Sequence, residues 1–305
     1  MKCYLFILIN SIIYIFTNEI IEEIPDFFDS RKKWPNCIPK IYDQGTCGAC
    51  YAFSTATTFS MRFCINNNSS KIINFSPQNL VNCLSGCKGE FPDIVWDYIS
   101  QNGITTEECL SYQQTGKSCT SKCDSSKNEF KKYYSGKTKF LESEESIKKE
   151  IMKNGPVTSM MYIYNDYYDY KSGIYIHTGG DNYLGFHAIS IIGWGVEDNI
   201  KYWIIQDSYG VSHGEKGYLR IKIGDKCGAG ATAFCDEIDG KYIVENDKEK
   251  NNDNEKNKDK KSDIINKNDS NINNNSDIYY NKENKENVLI TYNYYISIFI
   301  ILFLI

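Results

Sequence analysis

Apolar positions along this chain follow two local periods, and they change near the middle. Ala52, Ala56, Phe59 and Phe63 recur at intervals of four, three and four, the spacing of one helical face. Ser76 followed by Pro77 starts a shorter helix with a hydroxyl cap and a first-position proline. Over residues 92–101, Ile94, Val95, Tyr98 and Ile99 share a helical face, and Asn102-Gly103 stops the run. From Pro156 onward the pattern becomes β-rich, with strands predicted over 157–164, 187–194, 201–205 and 218–223.

The ends of the chain follow other rules. Residues 4–16 are apolar except for Asn10 and Ser11 and follow Lys2. That is the layout of a signal peptide over 1–18, too short for a comfortable membrane span. Residues 245–287 are a charged, low-complexity stalk of Lys, Asn, Asp, Glu and Ser that cannot bury enough apolar surface to fold. Residues 288–305 are mostly apolar and follow a polar spacer and small residues at Asn274, Asn275, Ser276 and Asp277. This is the arrangement of a glycolipid-anchor signal, with a transmembrane tail as the alternative. The working domain is therefore expected at 24–244.

Composition narrows the setting. A net charge of −5 argues against nucleic acid as the partner, since a binder normally shows a basic face. Twelve cysteines are too many for an ordinary reduced cytosolic enzyme and, with the leader, point to the secretory pathway: a vacuole, the cell surface or secretion. Asn68 and Asn74 head Asn-x-Ser glycosylation sequons.

The candidate chemistry centres on Gln44-Gly45-Thr46-Cys47-Gly48-Ala49-Cys50-Tyr51-Ala52-Phe53. Gly48 and Ala49 precede the helical stripe, which puts Cys50 in the helix's first turn. Free N–H groups and the helix dipole there favour a thiolate. Gln44 is placed to offer its amide to a developing oxyanion, beside the N–H of Cys50. Cys47 and Cys50 taken alone would read as a disulfide or a metal pair; the longer string is more specific.

That string resembles the signature around the nucleophile of papain-family cysteine peptidases. The run His187-Ala188-Ile189-Ser190-Ile191-Ile192-Gly193-Trp194-Gly195 resembles the family's histidine strand, at the family's interval from the cysteine. Ile24-Pro25-Asp26-Phe27-Phe28-Asp29-Ser30-Arg31, Trp34-Pro35-Asn36-Cys37, Asn154-Gly155-Pro156-Val157 and Tyr170-Lys171-Ser172-Gly173-Ile174-Tyr175 are similar to cathepsin B rather than cathepsin L. The resemblance implies an α+β papain-like fold of two lobes, one helical and one a β-barrel, with the cleft between them. It implies Cys50 as nucleophile and His187 as acid and base, with no metal or cofactor, a monomeric state, and protein or peptide substrates. By position in the family pattern, Cys37 pairs with Cys64, Cys47 with Cys87, Cys83 with Cys119, and Cys109 with Cys123. Cys227 and Cys235 remain and are expected to pair with each other, while Cys50 stays free.

Several positions depart from the pattern. Few residues separate the leader from Ile24, so no inhibitory propeptide is expected. The segment between Cys109 and Cys119 is short and lacks the histidines of cathepsin B's occluding loop. The family's orienting Asn is Asp207, the Trp covering it is Tyr209, and a second Trp position is His213. The run that bonds substrate backbone ends in Gly89-Glu90, which places a side chain where substrate approaches. Phe186, in place of Gly before the histidine, is expected to crowd the leaving-group side. Carried over, the S2 pocket is lined by Pro92, Met160, Ala188 and Thr232 and prefers apolar side chains. The expected function is cysteine endopeptidase. The alternatives are an impaired papain fold that binds peptides or proteins at a surface, and acyl transfer to amines.

Overall fold

The computed structural model describes residues 23–180 and 183–238, together with the backbone of 242–244. The expected leader, stalk and C-terminal segment lie outside these described residues. Strand β1 (Phe28–Asp29) leads into a one-turn helix, α1 (Ser30–Lys33). The helices α2 (Cys50–Asn66), α3 (Pro77–Cys83) and α4 (Pro92–Asn102) follow. Then come β2 (Lys131–Tyr133), β3 (Thr138–Leu141), α5 (Glu144–Asn154), β4 (Val157–Ile163), α6 (Asn165–Tyr168) and β5 (Ile174–Tyr175). The chain continues through β6 (Gly185–Glu197), β7 (Ile200–Gln206), β8 (Tyr218–Lys222), β9 (Ala233–Asp236) and β10 (Tyr242–Val244).

The α+β division read in the sequence is the one observed. One core joins α2, α3 and α4 through Phe53, Phe59, Phe63, Phe75, Leu80, Trp96 and Ile99. The other lies within the sheet and under α5, around Ile147, Ile151, Val157, Ile189, Ile191, Trp194, Trp203 and Ile221. The main sheet runs β3-β9-β4-β6-β7-β8-β5, with β1 added on β6. Its neighbours are antiparallel except β5 and β8.

Helix α2 runs between these cores, and its sequence shows why. It is buried on nearly every face, including Thr55, Thr58, Ser60 and Arg62. Buried polar groups need partners; Thr58, Ser60 and Arg62 reach theirs in both lobes, while the Thr55 hydroxyl has none. Ser60 donates to the Ala56 carbonyl and accepts from the Phe75 N–H. Thr58 donates to Ser190 on β6 at 3.0 Å, and Ser190 donates to the Ser54 carbonyl at 3.0 Å. Arg62 donates to the Gly155 and Pro156 carbonyls and pairs with Glu150 at 2.6 Å. The start of α2 is thereby fixed against the strand that carries His187.

Among the described residues, four disulfides join Cys37 to Cys64, Cys47 to Cys87, Cys83 to Cys119 and Cys109 to Cys123. The expected fifth is absent: Cys227 and Cys235 are free, buried thiols. The Cys227 carbonyl accepts from the N–H of Tyr162, near the far end of β4, whereas Phe234, beside Cys235, pairs with Thr158. Four residues of strand hold these points about 13 Å apart, beyond the roughly 7 Å between Cα atoms that a disulfide spans.

Candidate active site

Three constraints place Cys50. Ala49 caps α2, with its carbonyl accepting from the N–H groups of Ala52 and Phe53. Gly48 lies so close to Cys87 that a Cβ there would meet the Cys87 carbonyl at 2.6 Å. The Cys47–Cys87 disulfide and a 2.7 Å bond from the Tyr51 hydroxyl to the Gly86 carbonyl complete the anchor. Of the three free thiols among the described residues, only Cys50 escapes full burial. Burial pushes the Cys227 and Cys235 thiols up to about 12. Burial would raise Cys50 as well, but a hydrogen bond to His187, the histidine's charge and the N–H groups of Ala188 and Tyr51 outweigh it. The Cys50 thiol is thus held below its ordinary value, as a nucleophile requires.

His187 sits near the start of β6 and is almost completely buried. Its Nε2 bonds to Asp207 Oδ1 at 2.7 Å, and Cys50 acts on the same ring. Desolvation lowers the imidazole, yet the Asp207 charge and bond, with those of Cys50, push it up to about 10. Tyr209 stacks on the imidazole with ring centroids 4.8 Å apart and planes 15° apart.

Asp207 follows the last residue of β7 and is fully buried as a side chain. Burial alone would raise its pKa. The His187 charge and hydrogen bond, a hydrogen bond to His213 and the Ser208 N–H outweigh burial, holding the carboxyl well below the usual range. Oδ1 accepts from His187 and from the Ser208 N–H at 2.7 Å. Oδ2 meets His213 Nδ1 at 2.9 Å and accepts from the Tyr167 hydroxyl at 3.0 Å. An ionised carboxylate with all these bonds satisfies the condition for burying a charge.

The Gln44 side chain is oriented by its partners. Its Oε1 accepts from the Ser208 hydroxyl at 2.6 Å and its Nε2 donates to the Cys47 carbonyl at 2.9 Å. One amide hydrogen remains for another acceptor. Gln44 borders a cavity of about 540 Å³ that Gly48, Tyr168, Lys171, Tyr209, Ser212 and His213 also line.

The other predicted positions lie on β4, β6 and α4 and in the loops beside them. Met160 and Ala188 are register partners on β4 and β6, and the Thr232 carbonyl accepts from Ser159. Pro92 opens α4. Gly89 has φ +84°, and Glu90 turns back so that Oε1 accepts from the Phe91 N–H at 3.1 Å. Phe186 corrects an expectation. Its half-exposed ring lies 4.8 Å from Tyr162 and 6.5 Å from Phe91, the neighbour of Pro92. A side chain pairing across β4 and β6 must leave the sheet on the face it shares with Ala188 and Met160, so Phe186 borders the expected S2 side. Among the described residues no cluster of three His, Cys, Asp or Glu is arranged to hold a metal ion.

The profile of the papain family of cysteine proteases matches residues 24–237. The chain belongs to that family. Its relatives sharpen the placement within it. Cathepsin B-like CP3 of Giardia intestinalis is 36% identical over 216 residues, covering 68% of this chain and 72% of the relative. Cathepsin B-like cysteine proteinase 5 of Caenorhabditis elegans is 33% identical over 257 residues, covering 70% and 74%. Among solved structures, proCathepsin B S9 from Trypanosoma congolense superposes with a TM-score of 0.69 at 33% identity, covering 74% of this chain and 81% of that one. A Carica candamarcensis cysteine protease in complex with E-64 superposes at 0.59 and 25% identity, covering 70% and 99%. The chain is thus a cathepsin B-like cysteine peptidase, and its four disulfides suit a secretory or lysosomal type of compartment.

Sequence reasoning missed two neighbours of Asp207. His213 was visible only as a departure from the pattern, although a carboxylate in place of Asn with a new histidine six residues later is a compensating-charge signal. Tyr167 had no such signal in a chain with 24 tyrosines.

Proposed function

We propose that the protein is an endopeptidase in which Cys50 is the nucleophile, His187 the acid and base, Asp207 the orienting group and Gln44 an oxyanion donor. The observation that carries this reading is His187, bonded to Asp207 at 2.7 Å and holding down the pKa of Cys50 at the start of a helix. The Cys50 thiolate attacks the scissile carbonyl carbon, forming a C–S bond and an oxyanion received by Gln44 and the Cys50 N–H. The C–N bond then breaks as His187 passes its proton to the departing amine. Water attacks the thioester and gives a proton to neutral His187. The C–S bond breaks, releasing the acid and restoring the thiolate–imidazolium pair.

The geometry favours this over an impaired binding fold, because thiol, imidazole and carboxylate keep the order that activates a nucleophile, with the base in turn oriented by a third group. Hydrolysis of internally quenched peptides by purified protein tests it. Activity is expected and is abolished in Cys50→Ala; an inactive wild-type protein with the four disulfides formed contradicts it. Substrate contacts by Gly89, Glu90, Pro92, Phe91, Met160, Phe186, Ala188, Tyr209 and Thr232 belong to the same reading. On the sequence patterns of 4–16 and 288–305, we also read entry into the secretory pathway and display on a membrane through a glycolipid. Release of the protein from membranes by a phosphatidylinositol-specific phospholipase tests that display.

A further inference from the structure

Asp207 lies between two histidines. His187 bonds to Oδ1, and His213 Nδ1 bonds to Oδ2 at 2.9 Å. The other His213 nitrogen, Nε2, lies 3.1 Å from the carbonyl oxygen of Tyr167. A carbonyl and an ionised carboxylate only accept hydrogen bonds. Both His213 nitrogens must therefore carry protons for both bonds to form, and a ring protonated at both nitrogens is an imidazolium.

We propose that His213 is a positioning residue, held as an imidazolium, that neutralises Asp207 from the side opposite His187 so that His187 can lose its proton during turnover. The inference rests on the reading of Cys50 and His187 as the catalytic pair. Charge balance carries the argument. In the resting site, thiolate, His187 imidazolium, carboxylate and His213 imidazolium sum to zero. In the acyl-enzyme the thiolate charge is gone. With His213 charged, the neutral arrangement then has an uncharged His187, the base that deacylation needs. With His213 uncharged, the neutral arrangement keeps the proton on His187, which blocks the base. A buried site favours the electrically neutral alternative.

The groups facing His213 are consistent with a fixed charge. Burial and the His187 charge lower its pKa, but the hydrogen bond and charge of Asp207, with the Tyr167 carbonyl, outweigh them and hold it above the ordinary value. The Tyr167 hydroxyl is pushed well above its ordinary value by burial and by Asp207, so it remains a donor. The Tyr209 ring lies 5.5 Å away, and Asp43 and Lys171 line the adjoining cavity.

Two measurements test this. The chain has three histidines, so nitrogen-15 NMR of histidine-labelled wild-type protein, assigned by the signal lost in His213→Gln, reads the charge directly. Both His213 nitrogens are expected to be protonated from pH 5 to 8; a single neutral tautomer at pH 7 overturns the proposal. In kinetics, His213→Gln should raise the His187 pKa in the acyl-enzyme by about one unit, lowering kcat about tenfold at pH 6. The plateau of kcat/KM should stay within about twofold, because acylation uses the imidazolium, while its acid limb moves to higher pH as loss of the His213 charge disfavours the thiolate. In the Asp207→Asn background the same change should have little effect on the kcat profile. Equal losses in kcat and kcat/KM in both backgrounds would indicate a structural role and overturn the proposal. A doubly protonated His213 in a protein that cuts no peptide would sink the peptidase reading alone. A neutral His213 in an active peptidase would sink this one alone.

Discussion

Nε2 of His187 and Oδ1 of Asp207 lie 2.7 Å apart, with both side chains withdrawn from solvent. The carboxylate raises the imidazole while the imidazolium lowers the carboxyl. Asp207→Asn keeps an oxygen to accept the ring N–H but removes the charge, so the His187 pKa falls. Because acylation needs the imidazolium, the alkaline limb of kcat/KM should move to lower pH, by about one to two units for a pair at this distance. Substantial activity should remain. Asp207→Ala, which removes the acceptor, should cost at least about tenfold more. A pH–rate profile of each variant on one peptide checks both expectations; parity of Asp207→Ala with wild type would remove Asp207 from the mechanism.

Removal of C-terminal dipeptides is not expected. The three histidines of the chain are His177, His187 and His213. His177 is occupied by Asp166 and by the Gly180 carbonyl at 3.0 Å, and none lies between Cys109 and Cys119. A terminal carboxylate therefore finds no histidine donor of the occluding-loop kind. Internally quenched peptides with amidated C-termini should be cut within about twofold of their free-acid forms, a difference under half a kcal/mol. A tenfold preference for the free acid would contradict this.

Phe186 on β6 and Phe91, which precedes α4, bring their ring centroids to 6.5 Å. Between them they offer an apolar side chain two aromatic surfaces. A ring contact of this kind contributes about 0.5–1.5 kcal/mol beyond burial. Phe186→Gly should therefore lower kcat/KM about fivefold for peptides with an apolar residue at that pocket, mainly through KM. Peptides with a small residue there should be little affected. A peptide library profiled with both proteins checks the difference; an identical profile would show that the rings do not touch substrate.

Much of this site could be read in the sequence, because its local signals are strong. Gly48-Ala49-Cys50 before a stripe at helical spacing placed the thiol at a helix start, and α2 does begin at Cys50. The alternating and apolar runs located β4, β6, β7 and β8 to within one to three residues. On α4, Val95 and Ile99 are buried and Tyr98 packs against the same core, while Trp96 completes the face in place of Ile94. Helix α5 was overlooked, although Ser143 caps it reciprocally with Ser146, and Ile147 and Ile151 stand one turn apart on its buried face. What local signals could not supply was distance between elements. The Cys227–Cys235 pairing failed because strand register, not cysteine parity, sets separation. The bonds that join Tyr167 and His213 to Asp207 cross up to 40 positions of sequence and exist only once α6 lies against the end of β7.

The most direct test of the account is labelling of the purified protein with a thiol-directed peptidyl epoxide, followed by mass spectrometry of the adduct. One equivalent should attach at Cys50, faster than to any ordinary thiol, with none at the buried Cys227 and Cys235. His187→Ala should slow labelling by about two orders of magnitude or more, as loss of a positioned acid–base partner does, and Cys50→Ala should abolish it. Slow labelling spread over several cysteines, or labelling at Cys50 indifferent to His187, would contradict an activated nucleophile at this site.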